Sequence, residues 1–127
     1  MRYLLDTHTI IWYLEDSPRL PPRMKQIIDN NERNSCVCSV SLWEIAIKVG
    51  IGKLKLHFTF EKLLGKVKDC DFDILEIKND HLKRFITLPF IHKDPFDRLL
   101  ISTALVEKLT IISADENVRM YALPCVW

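Results

Sequence analysis

The sequence is poor in the residues that form linkers and tails, with three glycines and six prolines among its 127 residues. It also lacks internal repeats at the periods typical of solenoid proteins. Hydrophobic residues make up 48% of the chain, which is enough for a packed core. Since one domain usually takes about 100–200 residues, we predict a single domain over residues 1–127.

An excess of positive charge is missing as well: 18 lysines and arginines balance 17 aspartates and glutamates, for a formal net charge of +1. Passive nucleic-acid binders usually carry a basic face and a basic net charge. The composition therefore argues against that class of protein. It does not argue against a metal-dependent nuclease, because bound cations add positive charge that the sequence does not count.

The four cysteines form no C-x-x-C pair and have no H-x-x-x-H partner nearby, so the sequence predicts no zinc site. Cys36 and Cys38 are two residues apart in a short apolar run, which predicts that both point to one buried face of a strand. The chain contains no run of about 20 apolar residues and no signal-peptide pattern before Asp6. We therefore expect a cytoplasmic protein without a membrane partner.

Short apolar runs alternate with stretches of helical periodicity along the chain. The predicted strands are Tyr3–Leu5, Ser35–Val40, Phe72–Ile77, Leu109–Ile112 and an edge strand at Pro124–Trp127. The predicted helices cover residues 7–15, 23–30, 41–50, 58–67, 79–85, 95–105 and 115–120. Trp12, Tyr13 and Trp43 have the helical spacing of core residues. This alternation predicts an α/β fold, with layers of helices around a mainly parallel sheet.

Four acidic residues lie at junctions between these elements. Asp6 and Asp115 each follow a predicted strand, and Glu44 and Asp97 lie in the first turns of predicted helices. In open parallel sheets, ligands gather at the carboxyl ends of the strands, where the next helices begin. We therefore expect the four carboxylates to converge at one edge of the sheet. Oxygen ligands of this kind suit Mg²⁺ or Mn²⁺.

Each of these acids also has a local structural explanation. Ser41 and Glu44 match a capping box, with serine at the N-cap and glutamate at the third helical position. Asp6 and Asp94 each precede a predicted helix and match an N-cap, and Ser113–Glu116 has the pattern of a third helix start. Considered singly, every acid is explained as a helix cap. That interpretation corresponds to a non-catalytic module that binds a partner protein.

The stretches around the acids resemble the four motifs of the PIN-domain family, in the order of that family. Asp6–Leu14 (DTHTIIWYL) resembles the N-terminal motif, and Ser41–Lys48 (SLWEIAIK) resembles the second. His92–Ile101 (HKDPFDRLLI) resembles the third and is the most specific, and Ser113–Glu116 (SADE) resembles the fourth. Together they extend over nearly the whole chain, and no acid expected of the family is missing.

Many members of this family are VapC-type toxins of toxin–antitoxin pairs. The resemblance implies a three-layer fold with a central parallel sheet, Mg²⁺- or Mn²⁺-dependent cleavage of RNA, a cognate antitoxin protein and frequent homodimers. The site residues that it implies are Asp6, Glu44, Asp97 and Asp115. It assigns no direct role to Asp94 or Glu116, and His8 stands where many members carry asparagine. Trp12 and the helix over residues 23–30 are the predicted contacts for the antitoxin.

For such a site we expect Asp6 and Asp97 to bind metal directly, while Glu44 and Asp115 act through water or orient the nucleophile. Metal-activated water would then hydrolyse the phosphodiester bond, with one ion or two. A metal-dependent phosphatase is a weaker alternative. The stretch Asp6–His8 lacks the second acid, two residues after the first, that an enzyme forming a phosphoaspartate provides.

The basic side chains near the motifs are the predicted contacts for RNA phosphates. Lys48 lies in the second motif and Arg98 in the third, and we predict that both contribute salt-dependent affinity for RNA. His8 and His92 have no partner in the local sequence, and metal-activated water removes the need for a general base. We therefore expect a structural or surface role for both histidines.

Overall fold

Five strands and seven helices alternate along residues 1–127, all of which are described by the structure, a computed structural model. The elements are β1 (Tyr3–Leu5), α1 (Thr7–Leu14), α2 (Pro22–Asp29), β2 (Ser35–Cys38), α3 (Ser39–Gly50), α4 (Phe60–Asp69), β3 (Asp73–Leu75), α5 (Asn79–Thr87), α6 (Pro95–Glu107), β4 (Thr110–Ile112), α7 (Glu116–Arg119) and β5 (Cys125–Val126). A short 3₁₀-helix, Glu32–Asn34, precedes β2. Every predicted strand and helix is present, with its ends shifted by a few residues.

All five strands are parallel and form one sheet in the order β3-β2-β1-β4-β5, which confirms the predicted α/β fold. β1 is central, and its Leu4 is in register with Cys36 of β2 and Ile111 of β4. Successive residues of a strand point to opposite faces of a sheet. Cys36 and Cys38 accordingly lie in the same core layer, both fully buried, as predicted.

Helices cover both faces of the sheet and bury a separate apolar layer on each. The first layer receives Ile10 of α1, Ile28 of α2 and Leu63 of α4. The second receives Leu100 and Ile101 of α6 and Val118 of α7, while α5 packs on the outside of α6. Each such buried side chain contributes roughly 1.5–3 kcal/mol of transfer free energy. No helix of the protein is long and apolar enough to span a bilayer.

The helix of the second motif begins two residues earlier than predicted, at Ser39 instead of Ser41. Its N-cap position is Cys38, whose side chain makes no capping bond. Ser41 is fully buried inside the first turn, with its hydroxyl oxygen 3.1 Å from Thr7 Oγ1. The predicted capping box of Ser41 and Glu44 is therefore wrong, because contacts to α1 use the two side chains instead.

Three aromatic residues were predicted in the core, and the structure separates them. Trp12 and Tyr13 are half-buried and pack against the first core layer. Trp43 is 60% exposed and meets Phe96 edge-on, with the ring centroids 5.4 Å apart. The prediction that Trp43 belongs to the core is wrong, since its side of α3 faces solvent.

The carboxyl edge of the sheet brings together the ends of β1, β2 and β4. Asp6 directly follows β1, and its backbone N–H donates to the carbonyl oxygen of Ile112 at 3.2 Å, beside the end of β4. Helix α3 begins directly after β2, and Ser113 directly follows β4. This is the edge where parallel α/β sheets present their ligand-binding residues.

Candidate metal centre

Asp6 is buried at the start of α1, with 6% of the residue exposed. Its Oδ1 accepts the backbone N–H of Thr9 at 2.8 Å, so the carboxylate caps the helix as predicted. Thr9 is held in turn by donating its hydroxyl to Ile112 O at 2.9 Å. Burial raises the pKa of the Asp6 carboxyl, and hydrogen bonds from Ser113 and Thr9 oppose the rise. The charged form of Asp6 therefore depends on positive or hydrogen-bonding partners.

Glu44 is the most enclosed acid of the group, with 3% of the residue exposed. Thr7 donates its hydroxyl to Glu44 Oε1 at 2.7 Å, and Lys48, one helical turn along α3, pairs with Oε2. The hydrogen bond to Glu44 raises the pKa of the Lys48 ammonium, although partial burial lowers it. Thr7 and Lys48 thus supply the partners that a buried carboxylate requires.

Asp97 and Asp115 meet at one imidazole. His92 Nε2 lies 2.9 Å from Asp97 Oδ2 and 3.1 Å from Asp115 Oδ2. Asp97 is in the first turn of α6, whereas Asp115 caps α7, accepting the N–H of Asn117 with Oδ1 at 2.8 Å. The ligand-type atoms of His92, Asp97 and Asp115 all lie within 4.8 Å of one another.

Negative charge is in excess around Asp97. Burial and, after it, the carboxylates of Asp94, Glu44 and Asp6 raise the pKa of Asp97 to about 7, although His92 opposes the rise. Charges act on a pKa mainly at short range. The contacts of the structure link these acids in two pairs: Glu44 is bound by Thr7, the residue next to Asp6, and Asp97 and Asp115 meet at His92.

His92 enters this cluster as a hydrogen-bond donor. The backbone N–H of Asp94 points to His92 Nδ1 at 3.2 Å, so Nδ1 is an acceptor and the ring proton is assigned to Nε2. A metal-bound histidine uses the opposite arrangement, in which the non-ligating nitrogen donates its proton to an acceptor. Nε2–H therefore donates to Asp115 Oδ2, with Asp97 Oδ2 in close contact, and Nε2 is not a metal ligand in this arrangement.

The role of His92 was missed from the sequence because its two carboxylate partners arrive through folding. Its side chain is 12% exposed, which leaves little of it at the surface. Its backbone N–H donates to the hydroxyl of Tyr121 at 2.9 Å, and Tyr121 donates to Pro89 O at 2.9 Å. The local signal was its position two residues before Asp94, at the head of the third motif.

Capping and clustering are compatible, since a carboxylate has two oxygens. Asp94 caps α6, as predicted, by accepting the N–H of Phe96 at 2.8 Å. Asp115 uses Oδ1 for its helix and Oδ2 for His92. The local explanation for each of these acids is therefore correct without excluding a shared site.

Neither predicted RNA contact offers a free cation. Lys48 is engaged by Glu44, as described, and its side chain is 35% exposed. Arg98 is 5% exposed, donates to Pro89 O at 3.0 Å, and lies over the rings of Phe85 and Phe90. A guanidinium so enclosed has no surface for a phosphate, so its position corresponds to a structural role between α5 and α6.

The donor set of the cluster fits a hard divalent cation. It consists of carboxylate oxygens, which Mg²⁺ and Mn²⁺ prefer, and the high pKa of Asp97 reports negative charge that Lys48 and His92 do not balance. Asp97 and Asp115 have carboxylate oxygens close enough to bind one such ion together, and Asp6 and Glu44 are the further acids whose charges act on Asp97.

The sequence and the fold both have known relatives. Residues 3–123 match the family model described as PIN domain. Comparison with curated proteins found no significant match. Among solved structures, a toxin–antitoxin complex from Klebsiella pneumoniae is similar with a TM-score of 0.70 at 17% identity, covering 98% of this chain and 96% of that chain.

Two further structures show the same likeness. VapBC2 from Rickettsia felis, bound to a DNA fragment from its promoter, gives a TM-score of 0.69 at 18% identity, covering 99% of this chain and 98% of that chain. FitAcB from Neisseria gonorrhoeae gives 0.71 at 16% identity, covering 98% and 96%. At these identities the likeness establishes a shared fold.

Proposed function

The chain belongs to the PIN domain family, and from this premise we propose that it is a metal-dependent endoribonuclease, the toxin of a VapBC-type toxin–antitoxin pair. The observation that carries the proposal is the group of acids at the carboxyl edge of the sheet, in which Asp97 and Asp115 meet at His92 and the buried Glu44 is bound by Thr7, the residue next to Asp6. Helix capping explains Asp6 but not Glu44, which is buried in the middle of α3. Strongly perturbed acids in one place are a feature of functional sites.

The proposed roles divide the acids by position. Asp6 and Asp97 hold Mg²⁺ or Mn²⁺ directly, and Glu44 and Asp115 act through water or orient the nucleophile. A bound ion of this kind polarises a phosphate oxygen and lowers the pKa of a bound water. The protein contributes fixed geometry: Thr9 and Ser113 hold Asp6, Thr7 and Lys48 hold Glu44, and His92 spans the other two acids.

RNA is the proposed substrate and a cognate antitoxin is the proposed partner, both acting in the cytoplasm. The antitoxin is supported by two of the similar structures, the toxin–antitoxin complex from Klebsiella pneumoniae and VapBC2 from Rickettsia felis. A homodimer is also proposed. Its support is a group of exposed apolar side chains on α5 and the loop after it, namely Leu82, Ile86 and Phe90. Exposed apolar groups of this kind often mark protein interfaces.

The decisive experiment is a Mn²⁺ and Mg²⁺ titration of the antitoxin-free protein with pooled RNA as substrate. We expect metal-dependent cleavage by the wild-type protein and its loss in the Asp6→Asn/Asp97→Asn variant. Asp73→Asn is the matched control, because Asp73 is exposed, pairs only with Arg2, and begins β3 at the opposite edge of the sheet. Undiminished cleavage by the double variant would refute the assignment of the site.

A non-catalytic module is the second candidate, and the capping bonds of Asp6, Asp94 and Asp115 favour it. In such a protein the acids serve only the helices, so Mn²⁺ would leave the melting temperature unchanged. A metal that binds the native state raises that temperature. Stabilisation by Mn²⁺ without RNA cleavage would identify a real metal site and a wrong substrate.

A further inference from the structure

A pocket of about 430 Å³ opens between α1, the turn that follows it, and the segment that joins α3 to α4. We call it the basic pocket, after the side chains of His8, Arg19, Lys55 and His57 that line it together with Trp12. One end of it adjoins the start of α1, since the lining residue His8 is two residues after Asp6, the N-cap of that helix.

The basic pocket carries positive charge without acidic partners. Arg19 and Lys55 are both exposed, and neither forms a salt bridge anywhere in the protein. The one acid of the pocket, Glu15, is already engaged. Its Oε2 accepts the backbone N–H of His57 at 2.8 Å, and its side chain is 8% exposed. In the carboxylate cluster the nearby lysine, Lys48, is paired with Glu44. In the basic pocket Arg19 and Lys55 are not paired in this way.

An aromatic surface forms one wall of the basic pocket. Trp12 is half-buried and rests against Trp127, with the ring centroids 5.8 Å apart, so its position is fixed by packing. The ring of the exposed His8 lies 5.7 Å from the Trp12 ring at an interplanar angle of 40°. Unpaired cations beside aromatic rings are the combination with which proteins hold single-stranded nucleic acid.

The residues that line the basic pocket favour a nucleotide over an amphipathic helix of a protein partner. Only three of the ten residues around the basic pocket are hydrophobic, whereas six of seven are hydrophobic in the groove that Trp43 and Phe96 line. An amphipathic helix of a protein partner needs an apolar groove. The basic pocket offers it few apolar contacts, and its volume suits a group of nucleotide size.

We propose that the basic pocket binds a nucleotide of the RNA adjacent to the one that is cleaved, with its phosphate between Arg19 and Lys55 and its base against Trp12 and His8. The inference rests on the proposed ribonuclease function. It adds a binding site for the part of the RNA strand that extends beyond the carboxylate cluster. It also explains how a chain of net charge +1 attracts a polyanion, by a local pair of cations beside the acids.

The test measures RNA binding separately from cleavage. Asp97→Asn is the background, and a fluorescent single-stranded RNA of about ten nucleotides with a mixed sequence is the probe, followed by anisotropy at several salt concentrations. We expect Arg19→Ala/Lys55→Ala to weaken binding at least about tenfold and to lower the salt dependence by one to two phosphate contacts. Trp12→Phe should retain most of the affinity, because a ring remains for stacking.

The matched control removes one arginine and one lysine elsewhere. Arg33→Ala/Lys83→Ala fits, because both residues are exposed and neither has an acidic partner. Melting temperatures of all variants confirm that they are folded. In the active protein the pocket variant should raise KM for RNA and leave kcat nearly unchanged.

Two results would overturn the inference. One is RNA binding by the pocket variant equal to that of the control, which leaves the nuclease proposal intact if Asp6→Asn/Asp97→Asn still abolishes cleavage. The other is unchanged RNA binding together with lost binding of the cognate antitoxin, which assigns the pocket to a protein. Failure of the nuclease proposal appears separately, as absence of metal-dependent cleavage by the wild-type protein.

Discussion

Two histidines of this protein, His81 and His92, are held by the same local contacts in different surroundings. His81 Nδ1 accepts the backbone N–H of Lys78 at 3.1 Å, and its Nε2 lies 3.0 Å from Glu107 Oε1. His92 likewise accepts a backbone N–H and turns Nε2 to carboxylates. His81 is fully buried and joins the start of α5 to the end of α6, whereas His92 lies at the carboxyl edge of the sheet.

The two places differ in the balance of charge. Glu107 has one imidazole to itself and Lys78 Nζ at 3.8 Å, and the hydrogen bond from His81 lowers the pKa of Glu107. Asp97 shares its imidazole with Asp115, and burial and then the neighbouring acids raise its pKa. The same residue types therefore form a structural pair where charges balance and the proposed cation site where acids are in excess.

The largest expected difference between the surroundings of His81 and those of His92 is their effect on stabilisation by added Mn²⁺. A ligand that binds only the native state adds about 2.7 kcal/mol to the free energy of unfolding at one hundred times its Kd. We expect an increase of this order for the wild-type protein, its loss in Asp97→Asn, and its retention in Glu107→Gln. Thermal denaturation with and without Mn²⁺ measures it, each variant being compared with its own metal-free form. Equal stabilisation of the wild-type protein and Asp97→Asn would show that the ion binds at another site.

The pH dependence of stability without metal should have opposite signs at the two places. Native Asp97 keeps its proton up to about pH 7, against an ordinary value of 3.8. Between these limits the native state binds more protons than the unfolded chain, so stability falls as pH rises through this window. Each pKa unit corresponds to about 1.4 kcal/mol, and we expect a total loss of roughly 2 kcal/mol after solvent screening. The loss should be absent from Asp97→Asn.

For Glu107 the sign reverses, because a lowered pKa gives stability that is present at neutral pH and lost as pH falls through the native value. In Glu107→Gln, the free energy of unfolding should therefore fall less steeply at acidic pH. The fall towards neutral pH, which we attribute to Asp97, should be unchanged. Chemical denaturation from about pH 2 to about pH 8 covers both windows, since that of Glu107 lies below its ordinary value of 4.5. If the stability of Asp97→Asn still falls as the pH rises towards 7, the assignment to Asp97 is wrong.

The smallest effect is expected from the histidines themselves. His92→Gln retains an N–H donor in a different geometry, and loss of an outer hydrogen-bonding partner weakens metal binding about 10–100-fold. We expect the lower end, about tenfold or about 1.4 kcal/mol, because the donor is retained. His81→Gln should leave Mn²⁺ affinity unchanged and lower the melting temperature instead. Calorimetric titration with Mn²⁺ distinguishes the two variants. Equal Mn²⁺ affinities of His92→Gln and His81→Gln would show that His92 does not support the metal site.

The strands and helices could be predicted because their signals are local. Hydrophobic periodicity located every element, and Pro95 and Asp94 identified the start of α6. The start of α3 was displaced because Ser39 and Val40 continue a β-prone run, whereas the observed helix includes both. Tertiary contacts from Thr7 decided that boundary, and no local rule contains them.

The acids of the cluster could be proposed from their motifs, but their partners could not. Thr7 and Glu44 are 37 residues apart, and His92 and Asp115 are 23 apart, so each contact exists only in the folded chain. Arg98 looked like a surface cation because charge alone carries no information about burial. The basic pocket combines residues of α1, which lie in the first motif, with the segment before α4, which lies in none of the motifs.

The position of β1 in the middle of the sheet has a consequence for synthesis of the chain. Tyr3 pairs with Ser35 on one side and with Thr110, 107 residues further along the chain, on the other, so β1 receives its second neighbour only after a long stretch of chain has been made. Such distant pairing makes folding depend on residues that are synthesised later. Asp6 and Asp97 cannot take their native places until β4 has left the ribosome. In the proposed ribonuclease this order would delay RNA cleavage by the nascent chain until β4 has folded into the sheet.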